Sequence, residues 1–155
     1  MANAQDTNTI GLRLERTFDA SPQRVFDAWT RAEALATWFA PSTDYAVVVT
    51  DLEPRVGGRY RIEMRHTGGN VHVVVGEYRE LAAPSRLVMT WAWEGVEPAV
   101  VTIVTVELSP VGAGGTRVVV MHEGFPDDAA RGEHQKGWTA CFERLDVALG
   151  ATQWV

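Results

Sequence analysis

The stretch FPDDAARGEHQKGWTACFERLDVALG, Phe125 to Gly150, decides the fold. Counting about 100° per residue from Trp138, the side chains of Phe142, Leu145 and Leu149 fall on one stripe, flanked by His134, Cys141 and Ala148. Lys136, Glu143 and Arg144 fall opposite, with Val147 on that polar side without an evident reason. Asp127 or Asp128 supplies an N-cap, because a short carboxylate accepts from the free amides of a first turn, and Gly150 supplies a stop. A helix from Asp128 to Leu149 is about 33 Å long. One apolar face of that length needs a wide apolar partner, and the preceding residues read as strands.

Outward from the helix, Ile10 to Phe18 alternates as a half-buried strand, with Ile10, Leu12 and Leu14 on one side. Ser21-Pro22 opens a short helix carrying Val25, Phe26 and Trp29. Thr30-Arg31-Ala32-Glu33 has the form of a capping box for a second short helix, which carries Leu35, Trp38 and Phe39 and ends at Pro41. Tyr45 to Asp51 is the next strand. In RYRIEMRH, residues 59–66, Tyr60, Ile62 and Met64 face a core while Arg59, Arg61, Glu63 and Arg65 face water. Thr67-Gly68-Gly69-Asn70 turns the chain into a returning strand from Val71 to Glu80. Arg86 to Trp93 places Leu87, Met89, Trp91 and Trp93 on one face. Val100 to Leu108 and Thr116 to His122 form a last hairpin across a glycine-rich turn. Hairpins imply an antiparallel sheet, and one long helix covers it, giving an α+β layer of six to seven strands. A strongly curved sheet on one helix leaves a hollow between them.

Composition limits the function. Apolar residues are 46% and charged residues 22% of 155, as in an ordinary single globular domain. The expected domain spans 10–150, between a polar, disordered N-terminal tail at 1–9 and a C-terminal tail at 151–155. A net charge of −6 and scattered arginines argue against nucleic acid. No apolar run approaches the roughly 20 residues of a membrane span, and no signal peptide opens the chain, so a cytoplasmic protein is expected. The single cysteine, Cys141, permits no internal disulfide and reads as a buried, inert thiol.

These segments resemble the helix-grip, or START-like (SRPBCC), superfamily, and within it the family named for the C-terminal domain of the activator of Hsp90 ATPase. The resemblance rests on FDASPQRVFDAWT and ATWFAP, then VGGRYRIEM, GEYRELAAPSRLVMTW, GGTRVVVMHEGF and GWTACFERLDVAL, in that order over nearly the whole chain. It implies an apolar cavity between sheet and long helix, such as relatives use for lipids, sterols, hormones or polyketides, and a link to stress response. It supplies no catalytic residue.

The candidate cavity residues come from every element. Trp38 and Phe39 come from the second short helix and its end; Tyr60, Ile62 and Met64 from one strand; Met89, Trp91 and Trp93 from another. Val118, Val120 and His122 come from the last strand, and Trp138, Phe142 and Leu145 from the long helix. Trp38 to Pro41 and the loop Glu94 to Ala99 would flank the mouth. His122 either orients a ligand or is satisfied within the strand. His72 faces away from Val71 and Val73, and His66 is read as solvated. The four histidines lack metal spacing, so no metal or other cofactor is expected. The first reading is a small apolar or aromatic ligand. One alternative is a cyclase- or dehydratase-like enzyme using His122 or Glu63; the other is a chaperone-linked interaction module. A single domain leaves no room for the extra N-terminal domain of the eukaryotic co-chaperone. Monomer and homodimer both remain open.

Overall fold

Every strand of the sheet pairs antiparallel with its neighbours, and the first strand pairs with the last. The computed structural model describes residues 9–150. The expected tails, and Trp154, lie outside the described residues apart from Thr9. The elements are β1 (Gly11–Phe18), α1 (Pro22–Thr30), α2 (Ala32–Trp38), β2 (Tyr45–Leu52), β3 (Arg59–His66), β4 (Val71–Ala82), β5 (Arg86–Trp93), β6 (Thr102–Val111), β7 (Gly115–Glu123) and α3 (Asp128–Gly150). The seven strands run in the order β1-β7-β6-β5-β4-β3-β2. The sheet is curved, with register shifts between Val49 and Asp51 and between Tyr78 and Glu80.

Alternation assigns the faces. Tyr60, Ile62 and Met64 are buried. On the other face of β3, Arg61 and Arg65 both bond the Glu63 carboxylate and hold it below the usual carboxylate range. Glu77 is likewise paired on the surface, with Arg79. Gly76 of β4 stands opposite Tyr60. A Cβ there would lie 2.1 Å from the Thr90 carbonyl and 2.7 Å from the Tyr60 ring, so only glycine fits.

Ser21 caps α1 as expected, its hydroxyl accepting from the Arg24 amide. The capping box at Thr30 does not form. Thr30 is the last residue of α1, and its hydroxyl donates back to the Phe26 carbonyl. The N-cap of α2 is Arg31, without a side-chain capping bond. Asp127 caps α3, its carboxylate accepting from the Ala130 amide at 2.8 Å. The helix runs on to Gly150, the last described residue. Val147 is 77% exposed, and the structure gives no reason for an apolar residue there.

The core lies between the concave face, α1, α2 and the second half of α3. Phe142 meets Phe18 edge-on at 5.5 Å, and Trp29 stacks on Trp138 at 5.5 Å and 30°. Trp38 is anchored there by donating its indole N–H to the Ala28 carbonyl.

Candidate functional site

The long helix has two environments. Its second half, with Phe142, Leu145, Ala148 and Leu149, closes fully on the core. Its first half does not. His134, Gly137, Trp138 and Cys141 recur at helical spacing and line a cleft of about 510 Å³. The sheet side of this cleft is Met64, Trp91 and Trp93, with Phe39 and Pro41 arriving from the end of α2. Tyr45, the start of β4 from Val71 to Val73, Glu94, Val96 and Glu133 complete the lining around it.

The hollow read from sequence along the whole helix is therefore confined to one end. Phe39, Met64, Trp91, Trp93 and Trp138 line it. The other candidates do not. Trp38, Tyr60, Ile62 and Met89 are buried core residues. Val118, Val120, Phe142 and Leu145 are buried in the same core, because large aromatic rings fill the closed end completely. His122 is core as well, directly behind the cleft wall.

His122 is fully buried and wholly satisfied. Trp138 donates its indole N–H to Nδ1 at 3.0 Å. An indole nitrogen can only donate, so Nδ1 carries no proton and Nε2 does. Nε2 then donates to the Thr102 hydroxyl at 2.7 Å, which in turn donates to the Trp91 carbonyl at 3.2 Å. Burial, and secondarily the charge of His134, push the His122 pKa down to about 3. The chain of bonds fixes both Trp91 and Trp138, so His122 acts on the cleft through its walls.

His134 repeats the device one layer out. Its Nδ1 donates to the Ala130 carbonyl at 2.8 Å, and its Nε2 accepts the Trp93 indole N–H at 3.2 Å. The two histidine rings are 5.2 Å apart. Trp91 lies edge-on to Trp93 at 5.7 Å and tilted against Trp138 at 5.3 Å. The Trp91 indole nitrogen is buried and has no hydrogen-bond partner among the described residues. Burial pushes the Cys141 thiol up to about 12, so it is a wall group without nucleophilic character. His66 is half-buried rather than solvated: its ring packs on Tyr45 at 4.9 Å, and Nδ1 accepts from the Gly68 amide. His72 is opposite Met64 in the sheet, on the concave side.

The sequence reading placed His134 and Cys141 beside the apolar stripe but gave Gly137 no role. The spacing from His134 through Gly137 and Trp138 to Cys141 was the signal that marks this helix face. Tyr45 and Glu133 left no such signal. Among the described residues, no group of three or more His, Cys, Asp or Glu side chains stands together to hold a metal ion. No helix among them is long and apolar enough to cross a membrane.

Residues 19–150 match the family model described as "Activator of Hsp90 ATPase homolog 1-like protein". The chain belongs to that family. A crystal structure of a Chromobacterium violaceum protein superposes with a TM-score of 0.83 at 28% identity, covering 91% of this chain and 97% of that one. The AHSA1 protein of Silicibacter pomeroyi gives 0.78 at 25% identity, covering 90% and 97%. An Arthrobacter aurescens protein gives 0.80 at 22% identity, covering 94% and 89%, and shows the shared fold alone. No curated protein matches.

Proposed function

We propose that the protein binds a small, uncharged apolar or aromatic molecule in the cleft between β5 and the first half of α3. One observation carries this. Side chains fill the closed end of the core, yet about 510 Å³ remains open where Trp91, Trp93 and Trp138 converge. Ligand sites commonly measure about 300–1,000 Å³ and are lined by apolar and aromatic groups with a few polar ones.

The charge of the ligand follows from the lining. No lysine or arginine lines the cleft among the described residues. Arg61, the cation bonded to Glu94, is already engaged by Glu94 and Glu63. A ligand carboxylate would lose its hydration without gaining a lysine or arginine partner. An uncharged ring loses little and gains the aromatic walls.

This geometry favours the binder over a cyclase or dehydratase. His122 is sealed behind Trp91 and Trp138, and Glu63 is held between arginines on the far face of the sheet. A chaperone-linked role rests on the family's name alone.

Native mass spectrometry of the purified protein tests for a retained molecule, and calorimetry with naphthylmethanol and naphthoate tests the class. The alcohol is expected to bind and the carboxylate to bind at least about tenfold more weakly, as an unpaired charge demands. Equal binding of the two would remove the charge argument, and binding of neither would remove the cavity reading.

A further inference from the structure

Glycine is the least favourable residue after proline in a helix interior. Gly137 sits in the interior of α3, half-buried, on the face that lines the cleft. Nothing in the fold demands it. Its φ is not positive, and a Cβ built on it meets no heavy atom within 4 Å. The backbone there is bare towards an open space, flanked along the helix by His134 and Cys141, with Trp91 and Trp93 on the sheet side.

We propose that Gly137 is the seat of the ligand: a flat ring packs directly on the helix backbone at this position, and the missing side chain sets the width of the cleft. Any side chain at 137 would stand where the ring lies. A planar aromatic molecule uses such a gap fully, since a thin slab reaches the backbone while a bulky branched one does not. The ligand class is thus narrowed to flat ring systems. This inference rests on the cavity reading above, and Gly137 is a specificity-determining position within it.

Gly132 provides the comparison. It lies in the same helix, and a Cβ there also meets nothing within 4 Å. It lines a shallow surface groove with Gln135, Lys136 and Glu143, away from the cleft.

The experiment uses the full chain and naphthylmethanol as probe, with calorimetry for binding and thermal denaturation for stability. Gly137→Ala is expected to keep or raise the melting temperature, by about 2–4 °C if the full helix-propensity gain is realised. Gly137→Leu is expected to weaken binding at least about tenfold, while Gly132→Leu leaves it unchanged. Undiminished binding to Gly137→Leu would overturn the seat but leave the cavity reading standing. A fall in the stability of Gly137→Ala would also overturn it, since packing would then require the glycine. Failure of the wild-type chain to bind the probe would overturn the cavity reading and the seat together.

Discussion

His122 is a titratable group used as a structural joint. Three hydrogen bonds in series tie Trp138, His122, Thr102 and the Trp91 carbonyl together, and only the neutral imidazole fits the series. Its pKa falls from the ordinary 6.5 to about 3 on folding. The native state therefore binds fewer protons than the unfolded chain between those values. The stability this supplies is complete above about pH 6.5 and is lost as pH falls towards 3. One such group contributes a slope of up to ~1.4 kcal/mol per pH unit inside that window. Urea denaturation of the wild type and His122→Asn at several pH values between 7 and 4 isolates this share, as a flatter pH dependence in the variant. Equal slopes would mean that His122 is not held neutral. Sequence gave His122 its strand face but not its partners, because Trp138 and Thr102 are brought to it from α3 and β6 by the fold.

At the scale of elements, β4 is the strand where curvature and close packing meet. Tyr60 crosses it at Gly76 to donate its hydroxyl to the Thr90 carbonyl on β5. Gly76→Ala would drive a methyl into that carbonyl, and backbone cannot swing aside as the end of a long side chain can. Overpacking of this kind costs about 1–3 kcal/mol, or more where backbone must part. A lowered urea midpoint with an unchanged slope is the expected result; an unchanged midpoint would show that β4 and β5 separate freely here. Element identity was legible throughout. Period-two alternation marked the strands, and the stripe from Trp138 to Leu149 marked α3. Thr30 misled because its hydroxyl suits two hydrogen bonds, a cap for the next helix or a bond back into its own. The extended residue between the two helices is Arg31, which leaves Thr30 in the last turn of α1 and selects the second.

For the molecule as a whole, the open end of the core is where packing is incomplete, so a ligand there should act on global stability. Binding to the native state alone stabilises by RT ln(1 + [L]/Kd), about 2.7 kcal/mol at a hundredfold excess over Kd. A saturating naphthylmethanol titration is expected to raise the melting temperature in proportion to the logarithm of ligand concentration. A melting temperature indifferent to a probe that calorimetry shows to bind would mean that the unfolded chain binds it as well as the native one, against a site built by the fold. Val96 and Val71 are exposed while they also border the cleft, so the apolar lining reaches the surface there.

The amino-acid order alone determined the elements, their faces, the antiparallel sheet and its helical cover, because those follow from local periodicity and turn chemistry within a few residues. Tertiary structure alone decided where the sheet and α3 part. Phe18, Trp29 and Phe142 are large enough to fill one end. At the other end Gly137 presents no side chain, and the indoles of Trp93 and Trp138 are drawn onto histidines. Which side chains meet across 16 to 41 residues of chain is a property of the folded volume, and periodicity carries no record of it.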